Sequence, residues 1–337
     1  MIGFSKPSFW GKYFRNAIFF ILFVCSAQCS SPNTSNDASR RTNLQIQKFY
    51  ELDPKTVIEG RVRNTSEHVL KIFKQAGMSP KAHELTPSER KVVDKAFAML
   101  PPLHKKVLKD HLRSISFLDN MPVSAMTSPV NDNDEFKLFD ITFHASILKQ
   151  TASGWLTEKE RSCFNKDNSS ISVSVEAGSI NALVYVLLHE ATHIVDGATG
   201  ILPQQWKNVN EKSVIPAVAA STWSNWLNLL PAFQHSLLNE TRYRKGGKIF
   251  TMEEALPVYS ALKRTPLVSL YSGSNWHEDL AEYLTIYHFT YKLGQPFHII
   301  LKENGKVILS HKPMESNLVK SRLDFMEVFY DAANPTH

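Results

Sequence analysis

The stretch LLHEATHIVDG, residues 187–197, carries two histidines four positions apart, with a glutamate directly after the first. On an α-helix, residues four apart lie one above the other, with roughly 5–6 Å between their Cβ atoms. His189 and His193 can therefore each give an imidazole nitrogen to one metal ion. Glu190 is rotated by about 100° from His189, so it faces a water on the metal and not the metal itself. The spacing predicts a zinc site with Glu190 as a general base.

A catalytic zinc ion needs a third protein ligand and one open position for water. The segment YSGSNWHEDLAEY places Glu278 and Glu282 four residues apart on one face of a predicted helix. We expect Glu278 to bind zinc, one ion per chain, and Glu282 to accept a hydrogen bond from a ligating histidine. His277 and Asp279 compete with Glu278 for the ligand role.

Asp196 lies on the same helical face as His189, seven residues further along. Its short side chain and its distance along the helix make it a weaker candidate for the metal. We expect Asp196 to act from outside the ligand shell, where it either orients His193 or anchors the end of the helix.

An H-E-x-x-H sequence followed by a glutamate on a later helix resembles the gluzincin metallopeptidases. In detail the chain resembles the catalytic domain of anthrax lethal factor and related bacterial peptidases: Val195-Asp196 matches a V-D pair, and residues 278–282 match E-x-x-A-E. The resemblance covers about residues 135–293. It implies a zincin-like fold, with a small sheet packed on the long HExxH helix and a second helix that bears the glutamates. It also implies that Tyr271, seven residues before the ligand glutamate, donates a hydrogen bond to the oxyanion of the reaction.

The elements that must position these residues are predicted from periodicity. SSISVSVE alternates apolar and polar residues, which predicts a strand. A turn at 177–179 and an apolar run come next. They predict a helix of about 17 residues that ends near Asp196, with Gly197 as the stop signal. Residues 278–293 predict a second long helix. Few strands and many helices indicate the α+β class.

Further elements are predicted at both ends of the chain. A capping box of Thr86 and Glu89 predicts a helix that begins at this point. A second capping pattern, Thr157 to Glu160, predicts that another helix begins there. The remaining segments are a helix in PPLHKKVLKDHL, strands in SISFLDNM and FKLFDITFHASIL, and a final helix in NLVKSRLDFMEVFYDAA. The strand in SSISVSVE or the one in FKLFDITF is expected to offer an exposed edge to a peptide.

The N-terminus predicts export. A basic segment precedes the apolar run AIFFILFV, which is too short to cross a bilayer as a helix of roughly 20 residues. It has the length of a signal-peptide core, so residues 1–28 are predicted to be a signal peptide. Cys29 is then a candidate for lipid attachment to a membrane, and the alternative is a soluble chain. The destination is the periplasm, the outer membrane as a lipoprotein, or the medium.

The domain boundaries are predicted from composition. Residues 29–45 are rich in Ser, Asn and Thr and predict a flexible linker. Residues 46–130 are predicted to be a helical N-terminal region, and residues 131–337 the metallopeptidase domain. Of the three cysteines, Cys163 is expected to be a buried apolar residue, and no disulfide framework is indicated.

The net charge of +6 is divided between the first 28 residues and the rest of the chain. No cluster of Lys and Arg is interleaved with aromatic residues, and no nucleic-acid motif is present, so no nucleic-acid partner is expected. The leading hypothesis is a zinc-dependent endopeptidase that takes a peptide or protein as substrate. The alternatives are a non-catalytic zinc-bearing envelope protein and a zinc amidase that acts on cell-wall peptide.

Overall fold

The computed structural model describes residues 41–130, 136–165, 168–203 and 215–331. Within these ranges the protein is an α+β structure, which confirms the predicted class. No described helix combines the length and the hydrophobicity that crossing a bilayer requires. The signal peptide predicted for residues 1–28 and most of the predicted linker lie outside the described residues. The last part of that linker is helical, because α1 begins at Asn43.

The described α-helices are α1 (Asn43–Phe49), α2 (Glu67–Gln75), α3 (Pro87–Ala98), α4 (Pro102–His111), α5 (Ala152–Arg161), α6 (Ala182–Thr199), α7 (Ala217–Ala220), α8 (Ser236–Asn239), α9 (Ala255–Leu262), α10 (Trp276–Tyr287), α11 (Asn317–Lys320) and α12 (Leu323–Met326). A π-helical turn continues α10. The described strands are β1 (Lys81–Ala82), β2 (Leu112–Asp119), β3 (Ala125–Pro129), β4 (Phe139–His144), β5 (Ile171–Glu176), β6 (His298–Glu303) and β7 (Lys306–His311).

The strands form two small sheets. One has the order β1-β2-β4-β3, with β2 and β4 parallel and the other pairs antiparallel. The other is antiparallel throughout, in the order β5-β6-β7. Because β3 and β4 are hydrogen-bonded neighbours, the first sheet continues across the boundary that composition placed at residue 130. The region before that boundary is therefore not purely helical, since it contributes β1, β2 and β3 to a sheet that also contains β4.

The expected exposed edge is not in FKLFDITF, because β4 is an inner strand with a partner on each side. β5 lies at an edge, but α5 side chains occupy it: the Thr157 hydroxyl bonds to the backbone of Val175, and Arg161 donates to the carbonyl of Val173. The outer strand beside α6 is β3, which the periodicity of the sequence did not predict.

Helix α6 is the central element of the fold. Every residue from Ala182 to Asp196 is buried, as expected of a helix that is apolar on most of its surface. It packs against α3, α4, α5, α10 and β3. One buried contact from α4 is polar: His104 Nε2 lies 3.0 Å from the hydroxyl of Thr192, inside the HEATH sequence. Burial lowers the pKa of His104 to about 3, so this imidazole is neutral.

The end of α6 differs from the prediction. Gly197 lies inside the helix, and the helix ends three residues later at Gly200, in the left-handed conformation. The reason for Gly197 is packing, since a Cβ there would lie 2.9 Å from the ring of Phe139. A glycine taken as a stop signal is instead the point where β4 approaches the helix.

Two further helix predictions are wrong in their boundaries. Helix α5 begins at Ala152 and not at Thr157, because the hydroxyl of Thr151 caps it by accepting from the Gly154 amide. The predicted final helix is broken into α11, α12 and a 3-10 turn. The break lies at Arg322, whose guanidinium is directed into the core.

The hairpin of β6 and β7 was not predicted, although the sequence carries its signal. Asn304-Gly305 stand between two apolar segments, and both have positive φ. This is the turn signature of a two-residue β-hairpin. By contrast, the predicted strands in SISFLDNM, FKLFDITFHASIL and SSISVSVE, the capping box of α3 and the buried state of Cys163 are confirmed.

We expect Asn181→Ala to lower the free energy of unfolding by about 1–2 kcal/mol. Asn181 Oδ1 caps α6 by accepting from the Leu183 amide at 2.8 Å, and its Nδ2 donates to the carbonyl of Leu148 at 2.8 Å. Urea unfolding followed by circular dichroism measures the loss. The exposed Asn228, changed to Ala, serves as the control, and equal stability of the two variants would contradict the capping role.

Candidate metal centre

The packing of α6 against α10 brings together the side chains of His189, His193 and Glu278. All three are buried. The two Nε2 atoms of His189 and His193 are 3.2 Å apart, and Glu278 Oε2 lies 3.1 Å from the first and 3.4 Å from the second. One donor atom from each residue therefore points toward a common centre. This cluster could hold a metal ion, and Glu278 occupies the position expected of the third ligand.

Helix α10 presents Glu278 through its own cap. The side chain of Asn275 accepts hydrogen bonds from the amides of His277 and Glu278, so the helix begins immediately before the ligand candidate. A carboxylate in the first turn also lies at the positive end of the helix dipole. The sequence Asn-Trp-His-Glu thus starts α10 and sets the position along this helix from which Glu278 reaches α6.

The electrostatic field of the cluster favours a cation. Burial lowers the pKa of His189, but the carboxylates of Glu278 and Glu282 outweigh that effect and raise it to about 9. Burial raises the pKa of Glu278, yet His193 and His189 hold it well below the usual glutamate range. The site therefore stabilises positive charge among its donor atoms, and a proton and a metal ion compete for the same imidazole nitrogen.

Glu282 lies beside His189, the histidine from which the sequence predicted that it accepts a hydrogen bond. Its Oε1 is 3.1 Å from His189 Nδ1, off the direction of a good hydrogen bond, so the contact is mainly one of charge. Ser269 donates to the other oxygen at 2.7 Å. Glu282 is fully buried, and each of its oxygens has a partner.

Lys159 is the residue that sequence reasoning missed. Its ammonium donates to Glu282 Oε1 at 2.9 Å and lies 4.4 Å from the centre of the Tyr271 ring. The side chain is only 4% exposed. In the sequence it stands within Glu-Lys-Glu-Arg on α5, which is typical of a solvated helix face, so no local signal reveals its burial.

A residue of the first sheet holds the side chain of Glu190 in place. Thr127, on the outer strand β3, donates its hydroxyl to Glu190 Oε2 at 2.6 Å. Glu190 is buried at 2% exposure, and it lines a cavity of about 30 Å³ together with His189, Tyr271 and Glu282. A space of that size accommodates a water molecule. The general-base candidate therefore borders the same small cavity as His189 of the metal cluster.

Tyr271 lies in a 3-10 turn just before α10 and is also buried. Its ring centre is 5.7 Å from that of His189, and Tyr243 packs edge-on at 4.9 Å. Burial and then the carboxylates of Glu278, Glu190 and Glu282 raise the pKa of Tyr271 well above its usual value. The phenol consequently stays protonated and can donate a hydrogen bond.

The guanidinium of Arg244 holds the loop that carries Tyr271 in place. Arg244 Nη1 donates to the carbonyls of Leu227, Gly273 and Ser274 at 2.7, 2.9 and 3.1 Å. Because one guanidinium joins three backbone oxygens, the turn before α10 has a fixed position. Nothing in the sequence around Arg244 indicates this function.

Asp196 anchors the end of α6, which is the second of the two roles predicted for it. One oxygen accepts from the Leu202 amide at 2.7 Å, and the other lies 2.6 Å from His277 Nδ1. The carboxylate therefore anchors the end of α6 and ties it to the start of α10, and both of its oxygens are directed to groups other than His193. His277 is directed toward Asp196, and it is not among the three residues whose donor atoms converge.

The carboxylate of Asp279 likewise binds other groups. Two guanidinium nitrogens of Arg322 lie 3.1 and 2.8 Å from its oxygens, and Trp223 donates to it at 2.8 Å. Arg322 also lies 4.3 Å from the centre of the Tyr283 ring. This buried pair fastens the C-terminal segment to the side of α10 that carries Asp279, and it leaves Glu278 as the ligand candidate on that helix.

Comparisons of the chain with protein-family models, with curated proteins and with solved structures found no match. A functional assignment for this chain therefore depends on the geometry and the chemistry of the described residues.

We expect the unaltered chain to bind one metal ion and Glu278→Ala to lose it, because the cluster would retain two of its three donor side chains. His277→Asn is the matched control, since its partner is Asp196, and it should keep the metal. Metal content by elemental analysis after dialysis measures both. If Glu278→Ala retained as much metal as His277→Asn, the third ligand would be a residue other than Glu278.

We expect Glu282→Gln to weaken metal binding about 10–100-fold, because it removes the charge that orients His189. Lys159→Met should cause a similar loss, since it leaves Glu282 without its cation. The double variant should be no weaker than either single one, because both changes act through one contact. Competition with a coloured chelator gives the affinities, and strictly additive losses would contradict this coupling.

Proposed function

We propose that the protein is a zinc-dependent endopeptidase that hydrolyses peptide bonds with a metal-activated water. The observation that carries the proposal is a buried His-His-Glu cluster, one of whose members, His189, lines a small cavity together with Glu190 and the protonated Tyr271. Zinc catalysis needs these parts together: three protein ligands, a general base and a donor for the oxyanion. This arrangement also supports the zincin-like fold and the gluzincin resemblance as parts of the proposal.

The donor set and its dimensions fit zinc. Two imidazoles and one carboxylate form a common catalytic zinc triad. Ligands held tetrahedrally at about 2.0–2.1 Å are separated from one another by roughly 3.3 Å. The separations of 3.1, 3.2 and 3.4 Å in the cluster are close to that value.

The charge of the buried cluster fits a divalent ion. Glu190, Glu278 and Glu282 contribute three negative charges, and Lys159 contributes one positive charge. All four residues are buried, and the histidines are neutral when they act as ligands. Two of these negative charges have no paired cation among the four groups. Buried charges persist only when they are paired or coordinate a metal, so this surplus favours a bound cation.

The chemistry divides between the ion and the chain. When bound at His189, His193 and Glu278, zinc would lower the pKa of a coordinated water to about 7 and would polarise the scissile carbonyl. Glu190 would accept a proton from the attacking water and deliver it to the leaving amine. Thr127 keeps one carboxylate oxygen of Glu190 in place, which leaves the other oxygen for the proton transfer.

Tyr271 supplies the second catalytic hydrogen bond. Its protonated hydroxyl donates to the oxyanion that develops on the scissile carbonyl. Lys159 and Tyr243 fix the ring from two sides. The peptide is proposed to lie along β3, which is the outer strand of its sheet and already contacts Glu190 through Thr127.

The proposal includes export, with a signal peptide at residues 1–28 and lipid attachment at Cys29 as one route to a membrane. Casein and peptidoglycan zymograms of the zinc-loaded chain test the activity. Hydrolysis of casein supports the endopeptidase. Release of cell-wall peptide alone would identify an amidase, and no hydrolysis of either would leave a zinc-bearing envelope protein.

We expect Glu190→Gln to retain zinc and to lose at least 10²–10⁴-fold in kcat, because the amide cannot accept the proton of water. Peptide hydrolysis and zinc content are measured on the same sample. The exposed Glu240→Gln is the control for a charge lost elsewhere. Full activity in the Glu190 variant would overturn the mechanism.

We expect Tyr271→Phe to reduce kcat about 10²–10³-fold with little change in zinc content, as for one lost oxyanion donor. Tyr243→Phe, which keeps the ring that packs against Tyr271, is the matched control. Steady-state kinetics separates kcat from KM. An unchanged kcat in the Tyr271 variant would reduce this tyrosine to a packing residue.

A further inference from the structure

A second cleft, of about 370 Å³, lies in the N-terminal part of the described chain. It is lined by residues 54–59, the C-terminal end of α3 and one side of α4, and it shares no lining residue with the cavity at Glu190. Its volume falls within the range of about 300–1,000 Å³ that is usual for ligand sites. The proposed hydrolysis makes no use of this basic cleft.

The charge of the basic cleft comes mainly from three exposed lysines: Lys55, Lys105 and Lys109. Lys105 donates to the backbone carbonyl of Ala98 at 2.7 Å and so keeps its positive charge. Within the described ranges of the chain, none of the three ammonium groups is paired with a carboxylate. Because Glu59 is the acidic residue of the lining, the cleft has a surplus of positive charge.

The buried guanidinium of Arg61 fixes the shape of the basic cleft. Its Nη2 donates to the carbonyls of Thr56 and Lys109 at 3.0 and 2.9 Å, and its Nη1 donates to that of Leu108 at 3.1 Å. One side chain thus joins the segment 54–59 to the end of α4. The two walls keep their separation without a ligand, so binding costs little in ordering them.

The apolar part of the lining suits an acyl chain next to a charged group. Phe97 is buried at 4% exposure, Ile58 is half-buried, and Val57 is 62% exposed. An apolar surface beside ammonium groups matches a phospholipid with an anionic headgroup. A nucleic-acid backbone or an acidic peptide would satisfy the lysines but would leave Val57 in water.

The position of the cleft in the chain favours the same partner. Residues 41–111 contain 14 Lys and Arg against 8 Asp and Glu, whereas residues 112–337 carry a net negative charge. Helix α1 is fastened beside the cleft, because Gln47 donates to the carbonyl of Asp110 at 3.0 Å. Cys29 precedes Arg41 by 12 residues, and a chain of that length spans roughly 40 Å at most. A lipid at Cys29 would therefore keep the basic cleft near a bilayer.

We propose that the basic cleft binds the headgroup of an anionic phospholipid and docks the protein on a membrane surface, with Val57 entering the interface. The inference goes beyond the proposed hydrolysis, and it uses the proposed export only for the lipid at Cys29. The lysines supply an attraction that falls as salt is added. Val57 supplies apolar burial, which an anionic surface alone would not reward.

Sedimentation with vesicles tests the docking on the mature chain without a lipid, residues 29–337 with Cys29→Ser. We expect binding to vesicles of phosphatidylcholine with phosphatidylglycerol, little binding to phosphatidylcholine alone, and weaker binding as salt is added. The triple variant Lys55→Gln, Lys105→Gln and Lys109→Gln should bind about 100-fold more weakly, because each lysine near the surface adds about fivefold. Val57→Ser should lose roughly three- to tenfold.

The matched control removes the same charge from three exposed lysines in the C-terminal half, with Lys263→Gln, Lys302→Gln and Lys306→Gln, and should bind like the unaltered chain. An equal loss in both triple variants would reduce the attraction to net charge and overturn the site. No preference for the anionic vesicles would overturn it as well.

Two soluble competitors distinguish other ligands of the basic cleft. Release from the vesicles by inorganic phosphate would show a site for a free anion, and release by polyglutamate would show a site for an acidic protein; either result would overturn the membrane docking. Casein hydrolysis is scored on the same variants and should be unchanged. Failure of the docking and failure of the peptidase function therefore give different results.

Discussion

Burial of charge between α6 and α10 is the constraint on which the rest of the site depends. Glu190, Glu278 and Glu282 are all nearly inaccessible to water. An isolated charge in such a place costs several kcal/mol, and it persists only where opposite charges and hydrogen bonds compensate. Lys159 compensates one carboxylate directly. The carboxylates of Glu278 and Glu282 raise the pKa of His189, and the surplus of negative charge makes the cluster a place for a cation.

The remainder of the fold holds the two helices at the distance that this arrangement needs. His104 of α4 contacts Thr192 inside the motif, and Asp196 joins the end of α6 to the start of α10. On the far side of α10, the pair of Asp279 and Arg322 fastens the C-terminal segment. Since each contact is buried and polar, each has a narrow range of favourable geometry. Together they define where the donor atoms meet more sharply than apolar packing would.

The first sheet contacts the general-base candidate through β3, whose residues are mostly buried. Thr127 on β3 bonds to Glu190, and the residues just before β3 line a groove of about 510 Å³. Helix α5 contributes Trp155 and Lys159 both to this groove and to the small cavity at Glu190. A peptide that lies beside β3 would thus meet the general base and the groove in succession. The proposed reaction would draw on the same few elements for its chemistry and for its substrate contacts.

Local spacing is enough to predict part of the site. Helical geometry makes His189 and His193 neighbours wherever α6 lies, and the same geometry pairs Glu278 with Glu282. Spacing left Glu278, His277 and Asp279 as competing ligands, because their relation to α6 is set by the packing of α10. The fold distinguishes them, since it places Glu278 with the two histidines, His277 against Asp196 and Asp279 against Arg322. It alone also revealed Lys159, since burial of a lysine in a polar run depends on residues more than a hundred positions away.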